Sequence, residues 1–508
     1  MAIKIYSATC SELRGIVIDV EVDITRGIPS FTIVGLPDTS VKEARERVRS
    51  AIINSGFEFP LGRITINLAP ADVRKIGSLL DLPIALGILM ETRQMREINF
   101  EDFIFVGELS LMGEVKRVKG TLPIILEGIE KKFKKFIFPY ENVNECVYSN
   151  EALYYPFNNL KEVVSFINYE DVLPFEVDDS KFSMSENYFD FSNIIGQENS
   201  KRGMEIAAAG NHNIILYGST GVGKTMLAKA LPSILPDLTK EEELEVAKIY
   251  SITGLFEKQS RVSRPFRTPH HTATTCSIIG GGRALKAGEV TLAHKGVLFL
   301  DELLEFKREV LEGLREPIEE GAVHINRLNK NVVLPSEFMF VGAFNLCPCG
   351  NGNLDYSIEN KCTCTEFEKN RYVNRLSKAL RDRIDIFSYV PMIKYEEMKN
   401  NSEKYDSEGM KSRVIEARGR QIERLKGSGY CYNSQIKGRD IYELCRLTKE
   451  AKEILEKYFK TSKPSLRAYG KVVKIARTIA DIDGGVDITE ANVIEAIGFR
   501  KDYNGEIV

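Results

Sequence analysis

The 508-residue chain contains no tryptophan, only five histidines and nine cysteines. It also has almost no net charge, with 69 Lys+Arg against 72 Asp+Glu and a formal charge of −3. That balance excludes attraction of the whole protein to nucleic acid and leaves only a local basic surface for such a partner. No apolar run approaches the roughly 18 residues a membrane-spanning helix needs. The best candidate, Leu82 to Met90, lies between Asp81 and Glu91 and reads as a core helix. The opening M-A-I-K-I-Y-S-A-T-C-S-E has no charged-then-apolar export pattern, so a cytoplasmic location with no membrane partner is expected. An odd number of cysteines in that setting argues against a disulfide framework. Five of them (Cys10, Cys146, Cys276, Cys431, Cys445) are scattered and read as small buried thiols; the other four are clustered. What is abundant is core material, 43% hydrophobic residues in a length that suggests about three domains.

Residues 1–168 alternate β-rich runs (Gly15 to Val22, Ile64 to Leu68, Phe103 to Val106, Phe136 to Phe138) with helical stretches (Val41 to Ser55, Leu79 to Arg93, Leu122 to Lys131), the pattern of an α/β domain. Residues 169–190 are acidic and aperiodic, a linker. A second α/β region, 191–394, carries buried-strand runs at Asn213 to Tyr217, Val297 to Leu300 and Phe338 to Phe344. Residues 395–508 read as wholly helical, the clearest helix placing Tyr469, Val472, Val473, Ala476, Ile479 and Ala480 on one stripe. The expected fold class is therefore a multidomain α/β protein with a helical C-terminal domain.

The strongest motif is the loop Gly218-Ser219-Thr220-Gly221-Val222-Gly223-Lys224-Thr225, entered from a strand and followed by a helix-forming run. Glycines let backbone N–H groups turn onto phosphate oxygens, and the helix N-terminus adds a favourable dipole. Lys224 would reach the outer phosphates of ATP, and Thr225 would ligate Mg²⁺. The strand V-L-F-L-D-E supplies the partner such a site needs, Asp301 for the Mg²⁺ shell and Glu302 to polarise a water. The following strand ends in Asn345, which either orients that water or is a turn residue. Arg383, after a short helix, suits an arginine finger acting across a subunit boundary or a surface ion pair with Asp382 or Asp385. Arg467, in the first turn of the helix after Pro464, is a second candidate or a solvated side chain.

Cys347, Cys349, Cys362 and Cys364 form C-x-C-x12-C-x-C, two close thiolate pairs suited to a structural Zn²⁺. Four reduced thiols or an iron–sulfur cluster remain the alternatives. Two segments lack acids altogether. One is Lys258 to Gly288, which holds Arg261, Arg264, Arg267, Arg283, Lys286, His270 and His271; the other is Ala322 to Pro335, which reads as a hairpin with Arg327 and Lys330 near its tip. They suit sequence-independent contact with DNA phosphates or a solvated rim. His294, before the acidic strand, reads as a packing or hydrogen-bonding residue.

These motifs, with R-P-F-R-T-P-H-H-T, F-N-L-C-P-C-G, L-R-A-Y-G-K-V-V-K-I-A-R-T-I-A-D and the N-terminal N-L-A-P-A-D-V-R-K, closely resemble the YifB/ComM family of magnesium-chelatase-like AAA+ ATPases over nearly the whole chain. The resemblance implies a hexameric ring with a helix-2 insert. It also implies that both acid-free segments line the pore, that Asn345 is sensor 1, Arg383 the finger and Arg467 the sensor-2 arginine, and that residues 395–508 form a lid. Two departures stand out: Ser219 and Thr220 replace the family's usual Pro-Pro, and Arg381 adds a second arginine beside Arg383. Residues 1–168 resemble a Lon-protease-like (ribosomal S5 domain 2-like) domain. Motif matching places Leu79 and Leu122 where the Ser/Lys dyad would fall, with Ser78 one residue away.

The reading that follows is a ring-forming, Mg²⁺-dependent ATPase and DNA helicase promoting branch migration. A chelatase-like protein-remodelling motor, a Lon-like protease and a DNA scaffold whose assembly is set by ATP are the alternatives.

Overall fold

A computed structural model describes residues 3–75, 77–170, 172–177, 189–256, 261–282, 286–327, 330–352, 362–393, 405–462 and 465–501. The chain divides into two compact units, residues 1–185 with 240–263, and residues 186–239 with 264–508. No helix among the described residues is long and apolar enough to cross a membrane.

In the first unit, alternating apolar residues build a four-stranded sheet ordered Ile3–Ser11, Arg14–Thr25, Arg63–Ala69, Ser30–Val34. The pairing is antiparallel except for the last, parallel pair. A second, parallel sheet of Phe103–Phe105, Lys135–Pro139 and Leu153–Phe157 completes the α/β pattern. The helix Asp81–Glu91 is buried from Asp81 through Met90, as expected of a helix apolar on every side. Its one charged buried group, Asp81, receives Arg47 Nε at 2.6 Å and Nη2 at 3.0 Å. Burial pushes the Asp81 carboxyl up to about 6 against the pull of that guanidinium.

At the positions matched to the protease dyad stand two buried leucines, Leu79 and Leu122. The Ser78 hydroxyl donates to the Glu108 carboxylate and the Lys75 ammonium to the Pro70 carbonyl, so neither makes a serine–amine pair. Residues 240–263, placed by sequence inside the 191–394 region, pack in this first unit. The reason is a buried polar cluster around the helix Lys240–Thr253. Gly120 N–H donates to the Ser251 carbonyl (3.0 Å), while the Ser251 hydroxyl (2.5 Å), Asn142 Nδ2 (2.7 Å) and Leu122 N–H (2.8 Å) all converge on the Glu145 carboxylate. Of the linker, residues 172–177 belong to this unit, Phe175 N–H donating to the Tyr154 carbonyl, while 171 and 178–188 lie outside the described residues.

The second unit is built on a five-stranded parallel sheet ordered Phe266–Arg267, Val297–Leu300, Met339–Asn345, Ile214–Gly218, Ile386–Tyr389. The three central strands are almost wholly buried, as parallel strands covered on both faces must be. The C-terminal helices join the same core. The helix Leu466–Ile482 buries Val472, Val473, Ala476, Ile479 and Ala480 along the stripe read from sequence, with Tyr469 partly buried beside them. Beneath them Asp481 accepts from Arg424 Nη1 at 2.6 Å and from Asn433 Nδ2 at 2.8 Å.

Candidate active site

The loop 218–225 joins the end of the buried strand Ile214–Gly218 to the helix Lys224–Ala230. Gly221 (φ +78°) and Gly223 (φ +96°) hold left-handed backbone, and a Cβ at either would meet nothing within 4 Å. The loop is thus an open cradle whose amides are available to an anion. Lys224 Nζ lies inside it, donating to the carbonyls of Gly218 (3.1 Å) and Ser219 (2.6 Å) and to Asn345 Oδ1 (3.0 Å). Burial pulls this ammonium down to about 8, with Asp301 opposing. The Thr225 hydroxyl donates to Asp301 Oδ2 at 2.8 Å, which brings the two expected Mg²⁺ ligands together. Asn345 ends its strand in direct register with Gly218.

Glu302 follows Asp301 in a left-handed conformation (φ +49°) that turns the chain off the strand. Its Oε2 lies 3.2 Å from His271 Nδ1, and its backbone N–H donates to Asp301 Oδ1 at 3.0 Å. The His271 contact was not anticipated from sequence. The available signal was the pair His270-His271, two of only five histidines in the chain, with rings 4.1 Å apart.

The Ser219-Thr220 departure has a structural counterpart. The Ser219 hydroxyl donates to Gly352 O (2.6 Å), and both the N–H (2.8 Å) and the hydroxyl (3.0 Å) of Thr220 reach Gly350 O. Gly350 and Gly352 belong to the turn that carries Cys347 and Cys349. The four sulfur atoms of Cys347, Cys349, Cys362 and Cys364 all lie within 4.8 Å of one another, with close contacts of 3.2, 3.5 and 3.6 Å. Tetrahedral Zn²⁺–S bonds of ~2.3 Å place sulfurs roughly 3.8 Å apart, so the donor set fits the ion. Burial pushes the Cys347 thiol up to about 12. At Cys349 burial acts the same way, but the Asn351 N–H and the neighbouring thiols outweigh it and pull the group down to about 6. Cys349 is thus biased toward the thiolate form a metal requires.

Arg383 and Arg467 meet on a single carboxylate. Arg383 Nη2 reaches Glu319 Oε2 and Arg467 Nη2 reaches Glu319 Oε1, joining residues from three separate parts of the sequence. Arg383 also donates to the carbonyls of Arg315 (3.1 Å) and Ala379 (2.7 Å). Its pairing is therefore with Glu319 and not with Asp382 or Asp385. Asp385 instead lies buried against Lys471 Nζ (3.1 Å) and Asn213 N–H (3.0 Å). Burial alone would raise its pKa, but Lys471 and His212 hold it well below the usual carboxylate range.

The structure narrows the expected DNA contacts. Arg264 donates to the carbonyls of Pro236 (2.9 Å), Asp237 (3.3 Å) and Lys295, because two chain segments present carbonyls to it there. Arg267, on the edge strand, forms a two-point pair with Glu289 at 2.7 and 3.1 Å. Both guanidinium groups have partners within the chain. Lys286 is exposed on the small ribbon Gly280–Gly281/Lys286–Ala287, and Arg327 pairs with Lys330 in the last register of the hairpin Ala322–Arg327/Lys330–Pro335. The two ribbons touch, Ile325 lying against Gly280 and Gly281. Arg283 lies outside the described residues. His294 is buried, and its Nδ1 accepts from Glu337 N–H at 3.1 Å.

A parallel sheet with an inner strand that enters a phosphate loop, flanked by a strand ending in Asn and, beyond it, one leading into Asp-Glu, defines a P-loop ATPase domain of the AAA+ class. Family comparison agrees. Residues 190–398 match the family described as magnesium chelatase, subunit ChlI; residues 20–142 match subunit ChlI of Mg-chelatase; and residues 404–500 match the ChlI C-terminal family. The chain is 38% identical over 505 residues to competence protein ComM of Haemophilus influenzae, covering 98% of this chain and 97% of that one. It is 40% identical over 485 residues to YifB of Salmonella typhimurium, covering 95% and 94%. The chain belongs to the YifB/ComM family of magnesium-chelatase-like AAA+ ATPases. ATP and Mg²⁺ are the ligands that family implies, and the open glycine cradle, the Lys224 ammonium and the Thr225–Asp301 pair fit them.

Proposed function

We propose that the chain is a ring-forming, Mg²⁺-dependent ATPase, assembled as a hexamer, that drives DNA through its pore as a helicase promoting branch migration. The observation that supports the DNA half of this reading is the contact between the two acid-free ribbons. Segments more than 30 residues apart in sequence lie side by side, one ribbon carrying Lys286 and the other Arg327 and Lys330 in its sequence. Such a surface grips phosphates without reading bases, and its affinity falls steeply with salt.

In the ATPase half, the amides of Gly221 to Thr225 and the Lys224 ammonium hold the phosphates. Thr225 and Asp301 hold Mg²⁺, which when bound neutralises phosphate charge. Glu302 accepts a proton from the attacking water, Asn345 orients that water, and Arg383 and Arg467 stabilise the charge that develops on the transferred phosphoryl group. The helices of 395–508 form the lid, and the four cysteines hold a structural Zn²⁺.

The deciding experiment is the ATPase rate with and without forked or four-way DNA at rising salt. Stimulation that fades as salt increases is expected; no stimulation by any DNA at low salt refutes the helicase reading. Glu302→Gln should bind ATP yet lose hydrolysis by roughly 100-fold or more. Full strand exchange in that variant would instead identify a scaffold.

A further inference from the structure

Arg383 and Arg467 are held in a fixed relation to each other. Lys471 lies one helical turn after Arg467, and its Nζ donates to the carbonyl of Ile384 (2.8 Å), the residue after Arg383, while pairing with Asp385 at 3.1 Å. Arg500 donates to the same Ile384 carbonyl (2.7 Å) and to that of Asp385 (2.9 Å). These bonds tie the chain beside Arg383 to the helix that carries Arg467, so the two guanidinium groups can form a fork for an oxyanion that bridges them. In this structure the bridging oxyanion is the Glu319 carboxylate, one oxygen to each arginine.

The three residues line a cavity of about 870 Å³. Its lining includes none of residues 218–225 and not Asp301, Glu302 or Asn345. The fork therefore opens on a surface other than the chain's own phosphate loop. A nucleotide seated in that loop is thus not in the cavity the fork faces. Glu319 is more than a third exposed on its side chain and Arg467 about half, so an incoming anion can displace the carboxylate without first unfolding anything.

We propose that Glu319 is the resting counter-ion of Arg383 and Arg467, and that it surrenders both together to the polyphosphate of a nucleotide held by a second copy of this chain. Glu319 is a positioning residue: it touches no substrate and acts by competing for the arginines. One carboxylate charge neutralises only part of the fork, whereas a triphosphate brings several, so the exchange favours the nucleotide-bound assembly. Because both arginines leave the same partner, they engage together and not in sequence. The inference rests on the proposed role of the two arginines in hydrolysis.

The test uses the full chain with Glu319→Gln, which keeps the shape and removes the charge. An exposed pair is weak, so the expected effect is a fall of about 3- to 10-fold in the KM for ATP and in the protein concentration giving half-maximal ATPase, with kcat within about twofold. Glu319→Asp, which restores a carboxylate, should return both values toward wild type. A fall in kcat at constant KM, or no change in either quantity, overturns the proposal. A Glu319→Gln protein whose thermal melting differs from wild type is replaced by Glu319→Ala, read in the same way. Failure of the underlying reading looks different: Arg383→Ala and Arg467→Ala would then keep full ATPase activity. Mixing Arg383→Ala with Lys224→Ala chains, each inactive alone, should restore activity if the fork serves a second copy; no restoration overturns the second-copy assignment.

Discussion

Lys224 gives the most direct quantitative prediction. Its ammonium lies in a cradle of carbonyls and is desolvated enough to titrate near 8, well below the ordinary 10.5. Polyphosphate would favour the charged form strongly, so above pH 8 each binding event must take up a proton. The sign follows: lowering the pKa of a lysine in the free protein leaves affinity unaffected below that value and weakens it above. With a free-state pKa of about 8, the apparent Kd for ATP should rise about 25-fold between pH 7.5 and 9.5, a range in which the nucleotide itself is already fully ionised. Titration calorimetry at pH 9 in two buffers of different ionisation enthalpy should register close to one proton taken up per ATP. A flat Kd across this range, or proton release, refutes the picture of a desolvated ammonium waiting in the loop.

Gly350→Ala should weaken ATP binding, because the position has φ +77° and a Cβ there would lie 2.1 Å from Thr220 Oγ1; nucleotide titration checks it, and unchanged affinity would show that the loops are independent. Arg47→Ala should destabilise the first unit by about 3–5 kcal/mol by leaving the buried Asp81 carboxylate without its cation, read as earlier unfolding or faster proteolysis of residues 1–185. Since Asp81 titrates near 6 in the folded chain against 3.8 in the unfolded one, its contribution to stability is fully present below 3.8 and is lost as pH rises through 6. Elemental analysis should find about one zinc per chain, lost in Cys347→Ser; a metal-free wild type purified under reducing conditions would contradict the site.

The parts of this site that sequence makes legible are those encoded within one short segment. The glycine pattern of 218–225 and the acids ending V-L-F-L-D-E carry their chemistry in local backbone geometry. The four-cysteine spacing likewise placed its sulfurs together. The parts that stayed hidden depend on partners distant in the chain. An acid-free window from Lys258 to Gly288 stops one residue short of Glu289, which captures Arg267, and charge counting is blind to the carbonyls that hold Arg264. The helix Lys240–Thr253 carries a run of buried residues like any other, and only the pocket around Glu145 decides where it packs. Glu319, in a stretch rich in glutamates, carries nothing in its neighbourhood to distinguish it from Glu316 or Glu320. The edge strand Ile386–Tyr389 is four residues long, too short for periodicity to identify.

The three hydrogen bonds from Ser219 and Thr220 to the cysteine turn have a thermodynamic consequence. In a Pro-Pro loop, stiffness belongs to the loop itself. Here the loop leans instead on the turn that carries Cys347 and Cys349. Two ligands that order the same stretch of chain are linked, and linkage is reciprocal: whatever factor metal occupancy contributes to nucleotide affinity, nucleotide returns to metal affinity. If the four sulfurs hold zinc, as proposed above, its loss would be felt at the ATP site, and bound ATP would tighten the hold on the metal.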